Sequence, residues 1–350
     1  MPSERSSQVA SRRADDSRPS RKGDPSHAGR ALPAAMEAPL KPVRALGASL
    51  LIGVMTLAAA CGSDDSSDSG SGGKGKDEAV TVQAANGAVT IPAVPKRIVS
   101  LSPTHTESLF AIGAGKQVVA ADEYSTYPAN APKTKLSGFK PNAEAIIGYK
   151  PDLVVLSDDM DGIVKALAKV KVPVLLEPAA TKLDEAYDEI NDLGQATGHT
   201  AEAKKVTGDM RTSIQQTVAA APKNKPLSYY HELDNQLHTV TSSTFIGQVY
   251  GLFGLRNVAD KAEKASGGYP QLSREYFLKS NPDLVFLADT KCCAQNEAAV
   301  AKRSGWQDLT AVKNKNVVPL DDDIASRWGP RLPEFVKTIG AAIQKAAPAK

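Results

Sequence analysis

The chain has 350 residues, 41% of them hydrophobic, enough to fill the core of one large domain or two ordinary ones. A formal net charge of only +3 gives no electrostatic reason to expect a nucleic acid or a strongly acidic partner. The three cysteines, Cys61 alone and Cys292 beside Cys293, exclude a four-ligand zinc framework.

Residues 1–35 are rich in Arg, Ser and Asp without an apolar period and read as unstructured. Met36 opens a segment of signal-peptide length and is the expected translation start, a longer leader being the alternative. Behind Lys41 and Arg44, the stretch 46–60 (LGASLLIGVMTLAAA) is apolar for about 15 residues, short of the ~20 that a bilayer-spanning helix needs. It ends in small residues before Cys61, and the chain then turns polar at once. This ending resembles the lipobox of bacterial lipoproteins, with Ala58 where Leu is usual. The resemblance implies lipidation of Cys61 and attachment to the outer face of the cell membrane; a signal anchor with an incidental cysteine is the alternative. Residues 1–61 are thus leader and signal, and 62–79, dominated by Gly, Ser and charge, form a flexible tether.

From residue 80 short apolar runs alternate with helical patterns. Strands are predicted at 98–101, 118–121, 153–156 and 172–176, with helices at 106–112, 143–148 and 163–170 between them. Strands spaced by helices of this length predict an α/β lobe over 80–182 with a parallel sheet covered on both faces. Residues 183–222 carry no strand signal. Val206, Met210, Ile214 and Val218 repeat at helical spacing, and Thr197-Gly198-His199-Thr200 interrupts the segment. Alternation resumes over 223–350: strands at 227–230, 284–287 and 316–320, helices at 245–253, 271–279 and 332–346.

The second half repeats the first. Glu144, six residues and then PDLVVL matches Glu275, six residues and then PDLVFL. Pro after a helix and before a buried strand explains the proline and the apolar run. It does not explain an equivalent Glu seven residues before each proline. An internal repeat of this kind means two similar lobes, with 183–222 as their connection.

These features resemble the Fe/cobalamin-type periplasmic substrate-binding proteins, the receptors of ABC importers, over roughly 95–346. The stretch 95–104 (PKRIVSLSPT), the two Glu-x6-PDLV units and 270–275 (PQLSRE) carry the resemblance. Tyr124-Ser-x-Tyr127-Pro128 and the PQLSRE stretch bring it nearest the corrinoid-binding members. It implies two Rossmann-like lobes joined by a long backbone helix, and a metal chelate, corrinoid or ferric siderophore, held in the cleft between them. It further implies no catalysis, no resident cofactor, and a monomer that meets a permease dimer through one acidic residue per lobe. Glu144 and Glu275 match those docking positions; the alternative is two ordinary solvated helix carboxylates. Charge pairs of this kind set orientation and encounter rate more than affinity.

In open α/β sheets ligands lie at the carboxyl ends of the strands. That rule selects Ser102, Thr104 and His105 after the first strand, Tyr124, Tyr127 and Phe139 after the second, and Tyr230, His231, Tyr269, Asp323, Arg327 and Trp328 in the second lobe. The aromatic residues among these suit a large planar ligand. Phe139 and Tyr269 stand where corrinoid-binding members carry Trp, and Asp323 and Arg327 match an Asp–Arg pair of their pocket. Ser157 or Asp158 replaces a further Trp, and His231 and Glu232 depart from the pattern. Arg327, Arg331 and Lys140 offer charge to an anionic siderophore. His105, His231 and Glu232 are the residues of a bare-metal alternative, though no spacing brings them together, and no metal site is expected. Haem, a hydrolase-like enzyme and a scaffold that binds nothing are further alternatives, the enzyme lacking a Gly-x-Ser-x-Gly elbow. Cys292 and Cys293 form either a vicinal disulfide or two free thiols.

Overall fold

The computed structural model describes residues 78–222, 227–262 and 267–346. The leader, Cys61 and nearly all of the tether lie outside them.

A hairpin opens the fold, β1 (Val80–Ala84) pairing antiparallel with β2 (Gly87–Ile91). Asn86-Gly87 makes the turn, with Gly87 at φ 98°, where a side chain would be strained. The first lobe then alternates β3 (Ile98–Ser100), α1 (Pro103–Ala111), β4 (Val118–Ala121), α2 (Ala143–Gly148), β5 (Leu153–Leu156), α3 (Ile163–Ala168) and β6 (Val174–Leu176). Its sheet is wholly parallel in the order β4-β3-β5-β6. Every residue of β3 and β5 is buried, as expected of strands covered on both faces. The hairpin tip closes the free edge of β6. Asn86 Nδ2 donates to the Val174 carbonyl at 2.9 Å, and the Ala85 amide donates to the Leu176 carbonyl at 3.0 Å.

The connection is two helices, α4 (Leu183–Thr197) and α5 (Thr200–Ala220). Gly198, at φ 79°, ends α4 in the left-handed conformation, and the chain turns back. Arg211 of α5 meets Asp184 of α4 at 2.9 Å, and Thr207 lies beside Asn191, so the helices run antiparallel. Gly194 permits their close approach: a Cβ there would stand 2.3 Å from the Ala203 methyl. The lobes are therefore joined by a packed helical pair that includes a 21-residue α5, rather than by one helix alone.

The second lobe holds β7 (Ser228–Glu232), α6 (Phe245–Gly251), β8 (Arg256–Asn257), α7 (Arg274–Ser280), β9 (Leu284–Leu287), α8 (Thr290–Cys293), α9 (Glu297–Ala301), α10 (Thr310–Lys313), β10 (Val317–Pro319), α11 (Asp322–Ala325) and α12 (Leu332–Ala346). Its parallel sheet has the order β8-β7-β9-β10, the same topology as the first. One continuous core links the lobes: Ile98 and Leu153 of the first, Tyr187 and Ile190 of α4, Met210 of α5, and Tyr229, Phe286 and Ile339 of the second. Such a core holds the two sheets in register with the connection and leaves the strand ends to form the site.

Candidate ligand cleft

The loop after β4 carries Tyr124 and Tyr127. Buried Asp122 pins it, accepting from the Tyr124 amide at 2.8 Å and from Ser125 Oγ at 2.6 Å. Ser125 Oγ in turn meets Thr106 Oγ1 at 2.8 Å, which donates to Ser100 Oγ, so a chain of hydroxyls ties the loop to β3 and α1. Burial raises the Asp122 carboxyl above its ordinary pKa, while the bonds from Ser125 and Tyr124 pull it down. Phe139 meets Tyr124 edge-on at 5.7 Å between centroids. It follows Gly138, where a Cβ would fall 2.4 Å from the Leu101 carbonyl oxygen, so only glycine lets this loop lie against the end of β3. The rings anchored this way face solvent: Phe139 is 67% exposed, Tyr124 53% and Tyr127 46%, and Tyr269 of the second lobe is 48% exposed. Large aromatic surface held open by a buried polar chain is costly unless something covers it.

The segment between α11 and α12 crosses to the first lobe and lies over α1. Glu107, on α1 and only 2% exposed at its side chain, accepts from Arg327 Nη1 at 2.5 Å, Arg331 Nε at 2.8 Å and Arg331 Nη2 at 2.5 Å. Arg327 also donates to Asp323 Oδ1 at 2.7 Å and to the Tyr124 carbonyl at 3.3 Å. The Arg331 guanidinium stacks on Tyr127 at 4.1 Å. Beside this clamp, Glu189 Oε2 of α4 accepts from Trp328 Nε1 at 2.6 Å and meets His105 Nε2 at 3.3 Å. Lys291 bridges Asp321 and Asp323, and Asp322 caps α8 through the amides of Thr290, Lys291 and Cys292. Cys292 and Cys293 of α8 are exposed, with their sulfur atoms side by side.

The structure thus brings together Tyr124, Tyr127, Phe139, Asp323, Arg327 and Trp328. Ser102, Thr104 and His105 lie against the same clamp but are buried beneath it, at most 3% exposed, because the segment held by Glu107 covers the start of α1. Two expected cleft residues are corrected. β7 runs on to Glu232, so Tyr230 and His231 are strand residues with side chains on opposite faces of the sheet. Tyr230 packs against Phe277 and Trp306, and His231 meets the Tyr250 hydroxyl at 2.9 Å beside Phe335. Burial drives the His231 pKa down to about 3, so the imidazole is neutral. Glu232 is fully buried and forked onto Arg303 at 2.6 and 2.7 Å. Burial still pushes its carboxyl up to about 7 against the pull of Arg303. Two residues that order the site escaped the sequence reading, Glu107 and Glu189: their side-chain partners lie 84 to 224 residues away, and no local pattern marks them.

Glu144 is the second residue of α2 and Glu275 the second of α7; both are exposed. Each helix precedes the third strand of its sheet in chain order and runs antiparallel to it. Its first turn therefore stands at the carboxyl ends of the strands, the same end as the aromatic loops. The two carboxylates occupy equivalent positions in the two lobes.

Residues 98–324 match the model of the family described as periplasmic binding protein. An uncharacterized ABC transporter substrate-binding lipoprotein of Bacillus subtilis, YvrC, is 32% identical over 85% of this chain and 95% of its own length. A cobalamin-binding protein of Halobacterium salinarum is 31% identical over 72% of this chain and 70% of its own. The crystal structure of the periplasmic vitamin B12 binding protein BtuF of Vibrio cholerae aligns with a TM-score of 0.63 at 26% identity, covering 73% of this chain and 99% of that one. The matched span takes in both sheets and the helical pair between them, and the chain belongs to the periplasmic binding protein family.

Proposed function

We propose that this chain is an extracytoplasmic, lipid-anchored receptor that captures a metal chelate, specifically a corrinoid, and delivers it to an ABC importer. The observation that carries the ligand class is the state of the cleft arginines. Arg327 and Arg331, the cations best placed for an anionic ligand, are both spent on buried Glu107. An anionic siderophore or the carboxylates of haem would have to break that clamp, at a cost of several kcal/mol. A corrinoid is broad and flat, and all but one of its side arms end in uncharged amides. It covers exposed aromatic rings without asking for a free guanidinium, and its amide N–H groups find acceptors in Asp323 and the backbone. The relatives named for cobalamin support the same ligand, and the lipoprotein relative supports lipidation at Cys61.

Ferric siderophore or haem is the second reading, favoured by Lys140, exposed one residue from Phe139. The bare-metal reading loses support because His231 and Glu232 point to opposite faces of β7 and do not converge with His105. Glu144 and Glu275 are proposed to meet the two permease subunits, one per lobe. Purification from the native host tests the ligand. Cobalt and a corrinoid absorbance spectrum in the bound material support the proposal; iron with a haem or siderophore spectrum refutes it.

A further inference from the structure

A strap at 177–181 joins β6 to α4 and forms, with α4, a cavity of about 340 Å³ at the lobe junction. Glu185, Asp188, Glu189 and Asp192 of α4 line it from one helix face, at the spacing of successive turns, and Glu177 lines it from the strap. Glu185 is committed to the Thr181 amide and hydroxyl and to the Lys182 amide. Glu189 is committed through one oxygen to Trp328 and His105. Glu177, Asp188 and Asp192 form no ion pair among the described residues. The Glu177 side chain decides the matter. It is 6% exposed, it faces this cavity, and its Oε1 has no hydrogen-bond partner. Burial, and then the charges of Asp192 and Glu189, push its carboxyl up to about 8. A buried, unpartnered carboxylate oxygen beside two further unpaired carboxylates is a site short of positive charge.

We propose that this cavity binds one hydrated divalent cation of the Mg²⁺ type, with Glu177 as its principal carboxylate. Among the described residues no three carboxylates already converge on a single metal position. A bare ion is therefore not enclosed, whereas a fully hydrated ion, held by the carboxylates through its water shell, matches the spacing. At ~30 Å³ per water, the cavity accommodates such a shell. The ion would stiffen the strap where it meets the second lobe, since Gln248 Nε2 of α6 donates to the Thr181 carbonyl at 2.6 Å. This reading does not depend on the identity of the transported chelate.

The test is calorimetric titration of MgCl₂ into chelator-stripped protein, with thermal unfolding followed in parallel. One saturable site per chain is expected, with a raised Tm, and cobalt(III) hexammine, an exchange-inert mimic of a hydrated ion, should compete. Glu177→Gln should weaken binding at least tenfold, and Asp188→Asn, at an exposed position with no folding role, should weaken it less. Circular dichroism of each variant without metal checks the fold. No saturable binding, or equal binding by Glu177→Gln, overturns the proposal. So does binding that cobalt hexammine cannot displace, which means direct coordination of a bare ion, or a preference for spermidine, which means an organic cation.

Discussion

Replacing Glu107 by Ala removes the one carboxylate that holds the 327–331 segment on the first lobe. Glu107 accepts three guanidinium hydrogen bonds, and its partners keep only 11% and 14% of their side-chain surface in solvent. Most of the desolvation of both arginines therefore persists when the carboxylate is gone. Breaking a buried ion pair on one side costs about 3–5 kcal/mol. Arg327 keeps Asp323 and the Tyr124 carbonyl, whereas Arg331 keeps only the Tyr127 face, so the lower end, about 3 kcal/mol, is expected. Urea unfolding measures this. Trp328 reports the junction and Trp306 the second-lobe core, so coincident transitions in circular dichroism and tryptophan emission check two-state behaviour. A control separates the loss of charge pairing from the loss of packing. The triple substitution of Glu107, Arg327 and Arg331 by Met removes all three charges and should recover most of the loss, as buried ion clusters replaced by apolar residues often do. A Glu107→Ala cost below about 1 kcal/mol would refute the reasoning, because it would mean that the clamp is solvated rather than buried.

Gly138→Ala forces a Cβ against the Leu101 carbonyl; it should cost about 1–3 kcal/mol by urea unfolding and weaken ligand binding by displacing Phe139. His231 has a folded pKa depressed to about 3, so the folded state binds fewer protons than the unfolded one between that value and the ordinary 6.5. Its contribution to stability is full above pH 6.5 and is lost as the pH falls towards 3, at about 1.4 kcal/mol per pH unit. Glu232, raised to about 7, acts in the opposite sense and loses its contribution as the pH rises through 7, so His231 is isolated by comparing wild type with His231→Gln. The advantage of the wild type over the variant should shrink from pH 6.5 to pH 4; an unchanged difference contradicts a buried neutral imidazole. Glu144→Lys with Glu275→Lys should leave chelate affinity within twofold and abolish stimulation of importer ATPase activity in reconstituted membranes, with each single variant intermediate.

The repeat of Glu, six residues and PDLV was readable because each unit is local. A helix ends, proline forbids its continuation, and β5 or β9 follows within four residues of sequence apolar enough to be buried on both faces. The break between α4 and α5 was readable for the same reason, at Gly198. The exposed rings of Tyr124, Tyr127, Phe139 and Tyr269 followed from the rule that loops at strand carboxyl ends form sites. Tyr230 and His231 were misplaced because the sequence SYYHE offers no apolar alternation. Glu232 enters the core only through Arg303, 71 residues on, and burying it lengthens the strand. The alternation of Val80 and Val82 with Thr81 and Gln83 before Asn86-Gly87 does mark the hairpin β1–β2, which the reading passed over, whereas β8, of two residues, gives no periodic signal. The clamp joins residues 220 and 224 positions apart, and such contacts appear only once the chain has folded.

Calorimetric titration of the purified chain with cyanocobalamin, haemin and a ferric catecholate siderophore in one buffer compares the three chelate classes directly. Saturable one-to-one binding of cyanocobalamin, weakened at least tenfold by Phe139→Ala and little affected by salt, is the predicted result. Tighter binding of haemin or the ferric siderophore, with affinity falling steeply as salt is added, would show that the arginines leave Glu107 for an anion and would contradict the account.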